Sequence, residues 1–269
     1  MTLVKNILII SFFHVMLSSC ADYNKVVKGD DYERKFQLAN ELFTDKQYLR
    51  SVTLYEQVYQ RIPKTGEGEL SYFRIGKSYY EVEDYYMAGY YLGAFSQRFP
   101  FSPKAQECLF LSAMCSVNNS PEQSLDQNET ELAINNLQQF IDKYPTSNLI
   151  DSCNQIMDKL RFKIEGKNYN AVKLYSKTEN YRAAVTTALT FMEDYPRSIY
   201  KEEIFYILLK NSRFLAINSI ENKKRDRIEE TIERYRTFVN EFPNSKYKSE
   251  VNDISDEMNK ELQNFNYGK

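Results

Sequence analysis

An all-α fold made of repeated helical hairpins is what this sequence predicts, and three observations predict it. The 269 residues include only 8 Gly and 7 Pro, too few turn-formers for a many-stranded β protein. The 22 Tyr and 17 Phe make the chain far too aromatic to be disordered. Five times an aromatic or aliphatic residue precedes Pro, with Ser or Thr two positions after that Pro: Ile62-Pro63-Lys64-Thr65, Phe99-Pro100-Phe101-Ser102, Tyr144-Pro145-Thr146-Ser147, Tyr195-Pro196-Arg197-Ser198 and Phe242-Pro243-Asn244-Ser245. Each Pro closes an amphipathic run that it cannot continue as helix. Each following Ser or Thr is expected to cap the next helix.

Counting back from each Pro aligns the repeats. Before Pro100 stand Tyr72, Ile75, Gly76 and Tyr79, then Ala88, Leu92 and Phe95. Before Pro63 stand Leu38, Ala39 and Leu42, then Tyr48, Ser51, Tyr55 and Val58. Before Pro196 stand Ala171, Val172 and Tyr175, then Tyr181, Ala184, Ala188 and Phe191. Pro145 and Pro243 preserve the second-helix pattern, Ala133-Leu137-Phe140 and Thr231-Tyr235-Phe238. This register resembles the tetratricopeptide repeat (TPR), a 34-residue helix–turn–helix unit. Small residues at the crossing let two backbones approach, and aromatics fill the gap beside them. One hairpin cannot bury its own apolar face, so neighbours must stack.

The expected organisation is a superhelical TPR solenoid over residues 32–266. Its five hairpins span about 32–65, 69–102, 106–147, 151–198 and 202–245, followed by a closing helix at 246–265 with a polar outer face. The excess over 34 residues locates three insertions. Residues 117–130 read as a polar loop, 149–164 as a lengthened helix, and 219–230 as a charged extension.

The first nineteen residues read as a removable signal. Lys5 supplies a positive start, and Ile7 to Leu17 form an apolar run too short to span a bilayer. Leu17-Ser18-Ser19-Cys20 resembles the lipobox of bacterial lipoproteins, with Cys20 as the lipid acceptor and new N-terminus. Two or three acyl chains on one residue anchor stably where one would not. Cleavage removes one of 35 basic residues and no acid, leaving 34 against 37 and a formal charge of −3. Residues 20–31 read as the lipidated N-terminus and a short polar tether. Ala21 in place of Asp favours, by analogy with Gram-negative sorting, the outer membrane, and no dense acidic run points beyond its periplasmic face.

The only His, His14, falls inside the signal. The mature chain therefore excludes His-dependent acid–base catalysis, Ser/His or Cys/His nucleophile pairs and His-ligated metals. Near-zero net charge gives no footprint for nucleic acid. Cys108 and Cys115, seven apart on a helix, lie roughly 10 Å apart, too far for a disulfide. Either could pair with Cys153, but small buried core residues are the plainer reading of all three. Carboxylate pairs such as Asp30-Asp31, Glu202-Glu203 and Glu229-Glu230 read as solvated helix faces. Thr65-Gly66-Glu67-Gly68 follows no strand and lacks a Lys-Ser/Thr, so it reads as a loop and not a phosphate cradle. No catalytic residue, metal ligand or cofactor is expected.

Five divergent repeats behind a lipobox resemble the BamD family, the TPR lipoproteins of the outer-membrane β-barrel assembly machinery. The resemblance is most specific in Phe99 to Pro103, in Glu131 to Ser147, and in Leu160 to Ser198 with Tyr169, Tyr175, Tyr181, Ala184, Val185 and Asp194-Tyr195-Pro196. It implies a scaffold whose C-terminal repeats hold the periplasmic domains of the barrel protein BamA. Its N-terminal repeats would receive the C-terminal aromatic signal of unfolded barrel precursors. Carried onto this chain, the BamA contact falls near Tyr175, Tyr181, Arg182 and Thr187. Thr187 stands where proteobacterial members place a basic residue, so that ion pair is missing. Arg182 lies one helical face away, and Arg225 and Arg227 in the charged insert are substitutes. Tyr48, Tyr86, Tyr90 and Tyr91 are the aromatics expected to line a groove for extended, aromatic-rich peptides.

Three other readings stand beside this one. A pilus or cell-envelope TPR lipoprotein would share the fold. A glycan-uptake lipoprotein is disfavoured by length and by the absence of Trp. A hydrolase using two carboxylates would need a pocket that the sequence does not locate.

Overall fold

The computed structural model describes residues 22–267, which form helices joined by short turns, with no strand among them. A first helix, α1, covers residues 22–28. It is followed by α2 (Tyr32–Thr44), α3 (Tyr48–Arg61), α4 (Gly66–Glu81), α5 (Tyr85–Arg98), α6 (Ala105–Asn119) and α7 (Asn128–Lys143). Then come α8 (Ile150–Lys177), α9 (Tyr181–Asp194), α10 (Lys201–Ile217), α11 (Glu221–Glu241) and α12 (Lys248–Tyr267). Consecutive helices pack on one another in TPR-like hairpins. The chain divides into two compact units, one ending at Leu160 and the other beginning at Arg161, so α8 contributes to both.

The Pro motif ends helices in one way in all five repeats. The helix stops two residues before Pro, and the intervening Ile62, Phe99, Tyr144, Tyr195 or Phe242 caps it. These caps have φ between −124° and −132° and ψ between 53° and 64°. The following Pro drives its predecessor out of the helical region. Each cap N–H still bonds the carbonyl four residues back, on Val58, Phe95, Phe140, Phe191 or Phe238. The expectation for the trailing Ser or Thr is only partly met. Thr65 caps α4 by accepting from Gly68 N at 3.1 Å. The four serines instead accept from the N–H two residues on, closing a tight turn before the next helix starts. Two of them also reach back 33 residues within their own repeat: Ser102 donates to Glu69 and Ser198 to Glu165.

The core follows the repeat register. Twelve residues before each Pro, Ser51, Ala88, Ala133, Ala184 and Thr231 are all buried where two helices cross. Five residues before it, Val58, Phe95, Phe140, Phe191 and Phe238 are buried as well. Gly76 is small for a stated reason: a Cβ there would lie 2.9 Å from the Leu92 side chain. In the first unit, three clusters succeed one another along the stack, around Ala39, Leu54 and Tyr55, then Tyr72, Leu92 and Phe95, then Leu137, Phe140 and Met157. In the second unit a single core gathers Val172, Phe191, Phe205, Leu208 and Phe238, and α12 closes it with Val251, Ile254 and Met258.

Four local expectations change. Residues 22–28 are helical, and Tyr23, Val26 and Val27 pack on the first core cluster, where a polar tether was expected. Those three side chains share one helical face, which the charge-based reading overlooked. Gly66 and Gly68 form the first turn of α4 rather than a loop. A Cβ at Gly68 would sit 2.1 Å from the Ile62 carbonyl oxygen, so that glycine admits a close backbone approach. The loop in repeat three shrinks to residues 120–127, because α6 continues through Asn119. The charged segment 219–230 is mainly the first turns of α11, its Arg225 pairing with Glu229 one turn on.

The intra-repeat turns of repeats one, two and four share a left-handed residue: Lys46, Glu83 and Glu179, at φ 59°, 61° and 57°. The next N–H reaches back five residues, from Gln47 to Leu42 O, Asp84 to Tyr79 O and Asn180 to Tyr175 O. This is the Schellman closure that glycine usually provides.

Candidate partner-binding surfaces

Helix amphipathicity leaves part of each unit's surface outside the repeat core, and half of the ten expected site residues are exposed there. In the first unit, Tyr86 and Tyr90 stand one turn apart on α5 and are 67% and 63% exposed. Beneath them lies a continuous aromatic floor. Tyr90 meets Tyr91 edge-on at 5.3 Å, Tyr91 stacks on Tyr79 at 5.7 Å, and Tyr72 touches Tyr91 and Tyr59 at 5.3 and 4.6 Å.

Tyr91 belongs to that floor and not to an open groove. It is half-buried between two core clusters, and its hydroxyl donates to Glu56 at 2.9 Å. Burial, reinforced by the Glu56 carboxylate, pushes its phenol pKa well above the ordinary value. Tyr48 is likewise partly packed, meeting Phe43 edge-on at 5.4 Å at the start of α3. The exposed pair is therefore Tyr86 and Tyr90. Arg98 completes the floor: it donates to the Tyr59 hydroxyl at 3.0 Å and lies 5.2 Å from the Tyr72 ring centre. Tyr59, Glu56 and Arg98 were not singled out from the sequence. Only the joint register of three helices brings them together.

A second feature of this unit is a cleft of about 770 Å³ where α1 meets repeat one. Tyr23, Arg34, Leu38, Glu41 and Arg50 line it, and Arg34 pairs with Glu41 at 3.0 Å. Four acids (Asp22, Asp30, Asp31 and Glu41) alternate with three bases (Lys25, Arg34 and Arg50) around it, so it shows no strong bias toward a ligand of one charge.

In the second unit the expected residues separate into groups. Asn211 donates to the Ser176 hydroxyl at 2.8 Å, and Tyr181 stacks on Phe214 at 5.0 Å. These contacts set the α8–α9 turn beside the end of α10. Leu174 and Tyr175 are exposed at that turn, with Arg182 exposed on the first turn of α9. Tyr181 is committed to packing. Thr187 is half-buried and, five residues beyond Arg182, points about 140° away from it around the helix. Arg182 thus lies on a different face of α9 from Thr187. Arg227 donates to Ser219 and steadies the α10–α11 turn. Arg225 is exposed within an i, i+4 pair, the arrangement of an ordinary solvated helix face. An apolar hollow of about 320 Å³, lined by Leu189, Met192, Phe205 and Leu208 and edged by α11, was not foreseen.

The three described cysteines are free and buried, as the core reading requires. Burial pushes the Cys108 and Cys115 thiols up to about 12. Cys20 lies outside the described residues. Among the described residues, no helix is long and apolar enough to cross a membrane.

Comparison with known proteins agrees with this arrangement. A family model described as YfiO, outer membrane lipoprotein, matches residues 30–226 and 165–268. The outer membrane protein assembly factor BamD of Neisseria meningitidis serogroup B (strain ATCC BAA-335 / MC58) is 22% identical over 260 residues, covering 91% of this chain and 94% of its own. The protein of that name from Neisseria gonorrhoeae is 21% identical over the same shares. The one from Caulobacter vibrioides (strain ATCC 19089 / CIP 103742 / CB 15) is 22% identical over 176 residues, 65% of this chain and 57% of its own. With helical hairpins throughout and a family match across nearly all of them, the chain belongs to the YfiO family of outer membrane lipoproteins.

Proposed function

We propose that this protein is an assembly scaffold for outer-membrane β-barrel proteins. It is anchored by lipid on Cys20 at the periplasmic face and acts through contacts and orientation rather than covalent chemistry. The observation that carries the reading is the match to BamD relatives along 91% of the chain, since a shared single repeat would span only a fraction of that length. The exposed Tyr86 and Tyr90 over a rigid aromatic floor suit the aromatic end of an unfolded barrel precursor: flat rings give contact area at low entropic cost. The exposed Leu174, Tyr175 and Arg182 surface of the second unit would suit a partner patch that sets an acid beside apolar side chains, and the periplasmic domains of a BamA-like protein are the proposed partner. Thr187 does not supply the basic contact, and Arg182 and Arg225 are the exposed cations that remain.

The test is depletion. Lowering the level of this protein in its own cell should reduce folded barrel proteins in the outer membrane and leave other lipoproteins in place. Unchanged barrel levels would refute the reading. Replacement of Cys20 by Ala should release the protein from membranes, and continued sedimentation with them would reject the anchor.

A further inference from the structure

The N-terminal helix does more than link an anchor to the fold. On α1, Tyr23, Val26 and Val27 face the first core cluster, while Asp22, Asn24, Lys25 and Lys28 face solvent. The helix is fixed at both ends. At its start, the Tyr23 hydroxyl donates to Arg50 O at 3.1 Å, and the Arg50 guanidinium covers the Tyr23 ring at 4.2 Å. At its end, Lys35 donates to Val27 O at 3.2 Å and to Gln57 at 2.6 Å. Lys35 is buried, a costly place for an ammonium unless it has such partners.

These contacts also set direction. Arg50 is in the first turn of α3, whereas Lys35 is in the first turn of α2 and Gln57 in the third turn of α3. The start of α1 therefore points toward the α2–α3 turn. Only Ala21 separates Asp22 from Cys20, and two residue steps reach at most about 7 Å.

The same end of the unit exposes three apolar side chains. Leu49 is 59% exposed, and Val82 and Met87 are 38% and 37% exposed at the α4–α5 turn. The two turns are neighbours: Ser51, opening α3, and Ser78, closing α4, lie 3.3 Å apart through their hydroxyls. Charges there are mixed, with Asp45, Glu83 and Asp84 beside Lys46 and Arg50.

We propose that the turn end of repeats one and two is a membrane-resting face, seated on the phospholipid leaflet by Leu49, Val82 and Met87, with α1 directing its start, and the chain that leads to the anchor, toward the same end. The occupant is a lipid surface because the covalent anchor lies within about 7 Å of Asp22, which opens α1 on the side of the α2–α3 turn, and lipid attachment plus a second apolar contact is what stable seating requires. The mixed charge means that seating does not depend on anionic lipid. The inference rests on acylation of Cys20 but not on precursor recognition.

The test uses the full lipidated protein in vesicles of phosphatidylethanolamine with a minor share of phosphatidylglycerol. Nitroxides are placed singly at Leu49→Cys, at Val82→Cys and, at the opposite end of repeat one, at Lys64→Cys. The buried native thiols stay unlabelled. Leu49 and Val82 should show a several-fold loss of access to a water-soluble nickel chelate and a gain for oxygen, unchanged by salt, while Lys64 stays aqueous. A long Gly-Ser insertion between Ala21 and Asp22 should leave the protein vesicle-bound but erase part of that protection. Mass spectrometry of Cys20 separates the two layers of the argument. With Cys20 acylated and the protein bound, aqueous behaviour at Leu49 equal to that at Lys64 overturns the inference. So does protection that appears only on adding a partner protein, which would make this a protein interface. An unacylated Cys20 overturns the anchor and the inference together.

Discussion

Replacing Phe95 by Ala should unfold the first unit far more easily than replacing Phe101, six residues away. Phe95 is fully buried, 5.9 Å from the Phe73 ring and 5.0 Å from Phe99. Its position five residues before Pro is the one that recurs in every repeat. Deleting such a ring from a packed core costs about 3–5 kcal/mol, and loss of two aromatic contacts places Phe95 in the upper half of that range. Phe101 is 99% exposed, and its removal should change stability by about 0.5 kcal/mol at most. Urea unfolding followed by far-ultraviolet circular dichroism reads the difference. With a slope of about 2–3 kcal/mol per molar urea, Phe95→Ala should lower the midpoint by about 1.5–2 M. Phe101→Ala should leave it in place. A Phe95→Ala loss below about 1.5 kcal/mol, or equal losses for the two variants, would refute the claim that the register before each Pro is the packing unit.

Other consequences are simpler to check. Gly68→Ala should destabilise by about 1–3 kcal/mol, since the new methyl meets the Ile62 carbonyl at 2.1 Å and backbone must move; a melt within error of wild type would contradict it. Glu83→Gly should stabilise, because a left-handed non-glycine residue costs about 1–2 kcal/mol and the added unfolded-chain entropy recovers only part of that; thermal denaturation reports the sign. Raising pH should leave stability level to about 9 and then lower it. Cys108 and Cys115 have folded values raised to about 12, so the unfolded chain releases their protons first. Thiol-modifying reagent at pH 8 should spare both in the folded protein and label both in denaturant; rapid labelling of the folded chain would show that the burial is wrong.

The fold was legible because its determinants are local. Pro at five recurring points ends helices by its own geometry, and the small-then-aromatic register before it describes one helix crossing another. Both are read within a dozen residues. Departures arose where the cause lies in another helix. Tyr91 looked like its exposed neighbour Tyr90, and only the approach of Glu56 and Tyr79 makes it part of the floor. Arg227 looked like a free cation in a charged run until Ser219 fell beside it. Tyr23, Val26 and Val27 form a one-turn amphipathic pattern too short to rise above its charged surroundings. The left-handed residues Lys46, Glu83 and Glu179 left no signal, since glycine is absent from all three turns.

The most direct test of the scaffold reading is affinity purification of the tagged, lipidated protein from mild-detergent outer membranes, with mass spectrometry of what accompanies it. The account predicts a stoichiometric β-barrel protein carrying periplasmic domains, lost or weakened when Leu174, Tyr175 and Arg182 are replaced together by Ala. Recovery of a transporter, or of pilus or cell-wall components, without an assembly barrel would contradict it.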